Sequence, residues 1–129
     1  MNISMFEVIL YVRSQQISRD FYSTVLGKEP SLDVLGMTEF TITENLKLGL
    51  MPENSIAAIL TPKAPHPSTG RGIPRSEIYV YTDNIEDKYK KAIEAGAKEI
   101  SRIKLRSWGD RAGYLADPDG HIIAFAEKS

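Results

Sequence analysis

The order of apolar and polar residues at the start of the chain predicts a strand followed by a helix. In "FEVILYVRS", which begins at Phe6, β-branched and aromatic residues alternate between the two faces of an extended segment. In "SQQISRDFYSTVLG", apolar residues recur at helical spacing from Ile17 to Val25, and Gly27 is well placed to end the helix. The opening segment is therefore interpreted as one β-α unit.

The next segment predicts two more strands and then a connector. In "MTEFTITENLKLGLM", two short alternating runs flank a turn at Glu44-Asn45. Residues 61–74, "TPKAPHPSTGRGIP", contain four prolines and two glycines and little that could form a core. We interpret this stretch as a connector.

The second half of the chain repeats this order of elements. "SEIYVYTDN" predicts a strand with Glu77, Tyr79 and Tyr81 on one face. "NIEDKYKKAIEAGA" predicts a helix with Asn84 as its N-cap and Gly96 at its end. Three strands then follow, around "SRIKLR", "GYLAD" and "HIIAFAE", and an Asp-Pro-Asp-Gly turn separates the last two.

The two halves can be superimposed as an internal duplication. "EVILYV", beginning at Glu7, matches "EIYVYT", beginning at Glu77, 70 residues later. The repeat predicts two βαβββ pseudo-repeats, at about 1–60 and 75–129, within a single domain that spans 1–129.

Composition and charge exclude several classes of partner and of chemistry. The 129 residues are 42% hydrophobic and 26% charged with a formal net charge of −1, so no nucleic acid or anionic membrane is expected as a partner. The absence of cysteine excludes disulfides, thiolate metal sites and cysteine nucleophiles. No apolar run approaches the ~18–20 residues of a membrane span. The N-terminus has no signal-peptide pattern, and a cytoplasmic location is expected.

Taken in order, these segments resemble the vicinal oxygen chelate superfamily of glyoxalase I, bleomycin-resistance proteins and extradiol dioxygenases. The resemblance is carried by "EVILYVRSQQISRDFYSTVLGKEP", "EIYVYTDNIEDKYKKAIEAGAKEI" and "WGDRAGYLADPDGHIIAFAE". It implies an α+β fold in which two βαβββ modules form a curved mixed sheet that encloses a cup. It also implies a homodimer.

The resemblance further locates the positions at which metal-dependent relatives hold a divalent ion. Their first strands supply His and their last strands Glu. Here the first-strand positions are Glu7 and Glu77, and the last-strand positions are Gly49 and Ala124. Both usual Glu positions thus lack a ligating side chain, and we expect no metal and no other cofactor.

The residues expected to line the cup are carboxylates, aromatic side chains and their neighbours on the same strand faces. Glu7 and Glu77 suit a cationic ligand or an acid–base role, or else pair with Lys47 or Arg111. Trp108 is the foremost candidate for ligand contact, because a large apolar side chain in a loop such as "SWGDR" is expected to contact something other than water. The complete candidate set is Glu7, Ile9, Tyr11, Gly49, Glu77, Tyr79, Tyr81, Trp108, Arg111 and Ala124.

Three functional hypotheses follow. The first is a metal-independent protein of the bleomycin-resistance type, which binds or sequesters a drug-like or metabolite molecule. The second is a glyoxalase-like lyase, isomerase or dioxygenase that uses Glu7 and Glu77 as metal ligands or as an acid–base pair. The third is a dimeric scaffold without a ligand. The sequence does not identify the ligand.

Overall fold

The computed structural model describes residues 2–128 and divides them into two compact units. The first unit extends to Arg71 and the second begins at Gly72. Each unit contains a βαβββ module, as the internal duplication predicts.

The first unit contains one βαβββ module followed by a further helix. Its elements are β1 (Phe6–Val12), α1 (Gln15–Leu26), β2 (Leu32–Val34), β3 (Met37–Thr43), β4 (Leu46–Pro52), α2 (Glu53–Leu60) and a 3₁₀ turn (Pro67–Gly70). The strands form a four-stranded sheet in the order β1-β4-β3-β2, in which β1 and β4 are parallel and the other pairs are antiparallel.

Alternation along the first sheet separates an apolar face from a face that carries charge. The apolar face packs against α1 and forms the core of this unit with Leu10, Val12, Phe21, Tyr22, Phe40, Leu48 and Leu50. On the opposite face, which we call the first polar face, the register places together Glu7, Ile9, Tyr11, Glu39, Lys47 and Gly49. These residues share a face because Cβ atoms of paired residues point to the same side of a sheet.

The second unit repeats the arrangement. Its elements are β5 (Glu77–Tyr81), α3 (Ile85–Glu94), β6 (Lys98–Leu105), β7 (Asp110–Ala116) and β8 (Ile122–Lys128). The sheet order is β5-β8-β7-β6, with β5 and β8 parallel. One face packs against α3 through Ile85, Tyr89, Leu115, Ile123 and Phe125. The other, which we call the second polar face, carries Glu77, Tyr79, Tyr81, Asp110, Tyr114, Ala124 and Lys128.

The Asp-Pro-Asp-Gly turn joins β7 to β8 as the sequence predicts. Asp117 is 4% exposed, and its Oδ1 accepts hydrogen bonds from the backbone N–H groups of Asp119 at 2.8 Å and His121 at 2.9 Å. Gly120 has φ 93°, a conformation that glycine adopts without strain. The turn therefore has a structural role within the second unit.

The predicted α+β class and both βαβββ modules are confirmed. The duplication implied β2 without locating it, and α2 and the 3₁₀ turn were not predicted. Asn84 does lie at the N-cap of α3, but it has φ 49° and its side chain makes no capping hydrogen bond. The enclosing cup and the single domain spanning 1–129 remain predictions. Within residues 2–128, no helix has both the length and the apolar character needed to cross a membrane.

The predicted connector is tied to the first unit over most of its length. The guanidinium of Arg71 binds both carboxylate oxygens of Glu53, which is 6% exposed at the start of α2. His66 contacts the Asn54 side chain at 2.9 Å, and its Nδ1 accepts a hydrogen bond from the backbone N–H of Ser68. Little of the stretch 61–74 is therefore a free linker.

Candidate functional site

On the second polar face, hydrogen bonds join four side chains from three segments of the chain. The indole N–H of Trp108 donates to the Tyr79 hydroxyl at 2.9 Å, and that hydroxyl donates to Asp110 Oδ2 at 2.9 Å. The hydroxyl of Tyr81 donates to the same carboxylate oxygen at 2.7 Å. We call this group the Trp–Tyr–Asp network: Trp108, Tyr79, Tyr81 and Asp110.

The rings of this network form a continuous aromatic row. The centroids of Tyr79 and Tyr81 lie 5.3 Å apart in an edge arrangement, and those of Tyr79 and Trp108 lie 6.5 Å apart. Trp108 is 58% exposed and Tyr81 is 53% exposed, whereas Asp110 is only 4% exposed. The carboxylate is therefore buried behind rings that present their own surfaces for contact.

The charges of the network are set by these hydrogen bonds. The hydroxyl of Tyr81, with help from Tyr79 and the positive charge of Lys128, lowers the pKa of Asp110 despite its burial. The hydrogen bond to Asp110 raises the pKa of Tyr81, and burial is the main cause that raises the pKa of Tyr79. At neutral pH the network therefore holds one carboxylate and two neutral phenols that act as donors.

Tyr114 and Glu77 extend the second polar face beyond the network. The guanidinium of Arg106 lies over the Tyr114 ring, 4.9 Å from its centroid. Burial, followed by the nearby charge of Glu77, raises the pKa of Tyr114. Ala124 pairs with Tyr79 on one side and Tyr114 on the other, and it is fully buried.

On the first polar face, the side chain of Glu7 lies directly over Gly49. A Cβ atom placed on Gly49 would be 2.5 Å from Glu7 Oε2 and 3.1 Å from Ile9 Cγ1. Glu39, from the neighbouring strand β3, lies beside Glu7 and pairs with Lys47 Nζ at 3.4 Å. The absence of a side chain at Gly49 is thus what provides room for the Glu7 carboxyl group.

Glu7 is poorly stabilised as an anion in this position. Its Oε2 is the one buried side-chain oxygen or nitrogen that has no hydrogen-bond partner among residues 2–128. Burial, and then the hydrogen bond and charge of Glu39, raise the pKa of Glu7, while Lys47 opposes this effect. A hydrogen bond between the Glu7 and Glu39 carboxyl groups requires one of them to be protonated, so this contact adds to burial in raising the pKa of Glu7.

The donor set does not fit the divalent metal that the resemblance implies. Gly49 and Ala124 supply no ligating atom, and the Glu7 carboxyl group takes up the space next to Gly49. Within the described part of the chain, no three His, Cys, Asp or Glu side chains form a group that could hold a metal ion. A metal site typically requires three or more protein ligands, and these residues do not supply them.

The candidate residues predicted from sequence fall into three groups. Glu7, Ile9, Tyr11 and Gly49 lie on the first polar face, and Glu77, Tyr79, Tyr81 and Ala124 lie on the second. Trp108 joins the second group through its hydrogen bond to Tyr79. Arg111 is on the α3 side of the second sheet, where it pairs with Glu127 and with Glu86 of that helix.

Sequence reasoning missed Asp110, Glu39 and Lys128. Asp110 directly follows the Trp-Gly pair and shares strand phase with Tyr114, and Glu39 shares strand phase with Met37 and Thr41. Alternation was thus a usable signal for placing each on a polar face. It carried no information about which side chains on neighbouring strands they would meet.

These features define a class, an α+β protein of paired βαβββ modules whose sheets carry polar faces. The Glyoxalase-like domain family matches residues 5–128, and the chain belongs to this family. The resemblance identified from the sequence is therefore confirmed.

Two mycobacterial proteins are similar to most of the chain. An uncharacterized protein of Mycobacterium bovis is 27% identical over 113 residues, covering 79% of this chain and 68% of the relative. A Mycobacterium tuberculosis protein shows the same identity, and there the chain spans 61% of the relative's length.

Solved structures share the fold. A glyoxalase-related enzyme from Fulvimarina pelagi has a TM-score of 0.81 at 18% identity, covering 96% of this chain and 87% of that one. A glyoxalase/bleomycin resistance protein/dioxygenase family enzyme from Burkholderia phytofirmans has a TM-score of 0.77 at 15% identity, with full coverage of both chains at 100%. At such low identities the likeness concerns the fold alone.

Proposed function

We propose that this protein binds a small organic molecule on its second polar face, without the divalent metal of its metal-dependent relatives. The ligand is a drug-like or metabolite molecule that the protein binds or sequesters. The homodimer and the cytoplasmic location expected from the sequence belong to the same proposal.

The observation that carries the proposal is the Trp–Tyr–Asp network. A large aromatic side chain at the surface leaves apolar area in contact with water, and covering that area with a ligand is favourable. Trp108 is 58% exposed, yet its indole N–H is held by the hydroxyl of Tyr79. A ring that is both exposed and fixed in orientation loses little conformational entropy when a ligand stacks on it, which favours binding.

Electrostatics favour a ligand with an aromatic part and no net negative charge. Asp110 carries a buried negative charge, and Glu77 adds a second carboxylate on the same face. Tyr79 and Tyr81 direct their hydroxyl protons at Asp110, so these hydroxyls do not face outward as donors to an anion.

Binding is tested most directly through Trp108, the only tryptophan of the chain. A fragment library of aromatic and heteroaromatic compounds is titrated while the fluorescence of Trp108 is followed. A compound present at 100 times its dissociation constant is expected to raise the stability of the protein by about 2.7 kcal/mol in a parallel thermal-shift experiment.

The Trp108→Ala variant is expected to weaken binding of any such compound by about tenfold, measured by calorimetry, because aromatic contacts are worth roughly 0.5–1.5 kcal/mol beyond area burial. Phe6→Ala is the matched control, since Phe6 is also an aromatic residue that is 58% exposed. The proposal fails if no compound alters the fluorescence, or if both variants bind as the unmodified protein does.

A second candidate function is an acid–base enzyme of the lyase or isomerase type, and Glu7 is the observation that favours it. An unpaired buried carboxyl oxygen with a raised pKa is a typical property of a group that transfers protons. In this alternative Glu7 serves as the acid–base residue of a metal-independent reaction on the first polar face. The two candidates differ in which polar face carries the function.

A further inference from the structure

An ammonium group of the protein itself lies on the aromatic row of the second polar face. The Nζ atom of Lys128 is 4.6 Å from the ring centroid of Tyr81. Lys128 is also the cross-strand partner of Asp110, whose carboxylate accepts the hydrogen bond of the Tyr81 hydroxyl. The ring therefore has a cation on its face and a carboxylate at its hydroxyl end.

This combination of groups suits an organic ammonium ion. A cation within about 6 Å of an aromatic centroid is attracted by the quadrupole of the ring, and a nearby carboxylate adds to the attraction. At an exposed ring such as Tyr81 the two effects suit a cation that is only weakly hydrated. Lys128 shows that the geometry accommodates an alkylammonium group.

Lys128 is poorly suited to remain there permanently. It is exposed at the end of β8, and its four-carbon stem loses rotational freedom when the ammonium group is held over the ring. A ligand whose cationic group is attached to a ring that stacks on Trp108 is already held next to Tyr81 by that stacking. Its ammonium group therefore loses less freedom than Lys128 does when it meets the Tyr81 ring. Such a ligand can displace the lysine.

We propose that the Tyr81 ring, backed by Asp110, is the binding site for the ammonium group of an organic cation, and that Lys128 is an internal competitor that sets the affinity. The inference rests on the proposed small-molecule function, because Trp108 and Tyr79 supply the adjoining contact surface. The ligand class is an aromatic compound with a quaternary or alkylated ammonium group.

The test compares two probes, benzyltrimethylammonium and uncharged benzyl alcohol, by NMR titration of the isotope-labelled protein. Lys128→Ala is expected to bind the ammonium probe about two- to fivefold more tightly than the unmodified protein, since a cation–π contact at an exposed ring is worth that much. Its affinity for benzyl alcohol is expected to remain unchanged. Adding Tyr81→Ala to Lys128→Ala is expected to abolish the gain.

Two control variants separate a local effect from a general change in charge. Lys128→Arg retains a cation over the ring and is expected to keep the original affinity. Lys98→Ala removes one positive charge from an exposed position of β6 in the same unit and is expected to change little.

The outcomes distinguish failure of the ammonium site from failure of the proposed small-molecule function. If both probes bind and Lys128→Ala leaves the ammonium affinity unchanged or weaker, the ammonium site is refuted while the small-molecule function stands. An equal gain in Lys98→Ala refutes it as well. If neither probe binds to any variant and the fragment library also gives no ligand, both the ammonium site and the proposed function are refuted.

Discussion

Gly49 and Ala124 show how the residues at two expected ligand positions fit their surroundings. At Gly49, the volume that a side chain would fill is taken by the carboxyl group of Glu7. At Ala124, tyrosines flank the position from both neighbouring strands, and the methyl group is fully buried. At each position, the surrounding side chains are arranged in a way that a metal-binding Glu would disturb.

Glu7→Gln is expected to stabilise the protein at neutral pH by about 1 kcal/mol, because it removes a carboxylate whose buried Oε2 has no hydrogen-bond partner and adds an amide donor next to Glu39. The folded-state pKa of Glu7 is raised, so the folded state holds this proton more tightly than the unfolded state does. The contribution of Glu7 to stability is therefore present below its ordinary pKa and is lost as pH rises through its raised, folded-state pKa.

This expectation is checked by thermal unfolding of the unmodified protein and of Glu7→Gln between pH 3.5 and pH 8. This range brackets the ordinary Glu pKa of about 4.3. The advantage of Glu7→Gln is expected at pH 7 and is expected to vanish near the acid end. Glu44→Gln is the matched control, since Glu44 is exposed in the turn between β3 and β4. A destabilised Glu7→Gln variant at pH 7 would contradict the assignment.

At the scale of elements, the contact between α3 and β7 depends on a residue without a side chain. A Cβ atom on Gly113 would lie 2.7 Å from Ile103 Cγ1 and 2.7 Å from Tyr89 Cε2. Tyr89 is 8% exposed, and its hydroxyl donates to Glu99 at 2.7 Å. The ring is held at both ends, so it has little freedom to move away.

Gly113→Ala is therefore expected to destabilise the protein by about 1–3 kcal/mol, the usual effect of overpacking a core. Chemical denaturation measures the change. Gly70→Ala is the control, because a Cβ atom at Gly70 meets no heavy atom within 4 Å, and we expect its stability to stay within ~0.5 kcal/mol of the original. Equal stability of the two variants would show that α3 shifts freely on the sheet.

The elements that the sequence predicted are those with a long periodic pattern. The helix α1 and the strands β1, β4 and β8 each carry an uninterrupted run, and their positions were predicted closely. The strand β2 has three residues, too few to show a period. The helix α2 begins immediately after Pro52 at the end of β4, so its apolar residues were not separated from the strand before it.

At the scale of the whole molecule, each unit is a complete βαβββ module with its own apolar core. Duplication places one acidic first-strand residue in each unit, Glu7 and Glu77. The two units nevertheless differ in chemistry. The first has a pair of neighbouring carboxyl groups, and the second has the Trp–Tyr–Asp network.

We expect the protein, when purified without chelators, to contain much less than one tightly held transition metal per chain by elemental analysis. Treatment with EDTA is then expected to leave the unfolding temperature unchanged, because a structural or catalytic metal bound to the folded state would stabilise it. A stoichiometric, tightly held metal would contradict the metal-independent proposal and would favour a metal-dependent enzyme of the family.

The sequence by itself determined the types of the longer elements, the duplication and the family. These depend on local periodicity, on turn residues and on the order of segments, all of which can be read along one chain. The sequence also identified Trp108 and Tyr79 as candidates. Because they are 29 residues apart, it did not show that they are hydrogen-bonded to each other.

Only the tertiary structure decided which of these side chains meet. Alternation assigns a residue to one face of a strand, but strand pairing and register, which depend on the packing of the whole unit, choose its neighbours. Register brings Asp110 to the hydroxyls of Tyr79 and Tyr81 and places Lys128 beside them. It also places Gly49 opposite Ile9 and so leaves Glu7 room to fold over it.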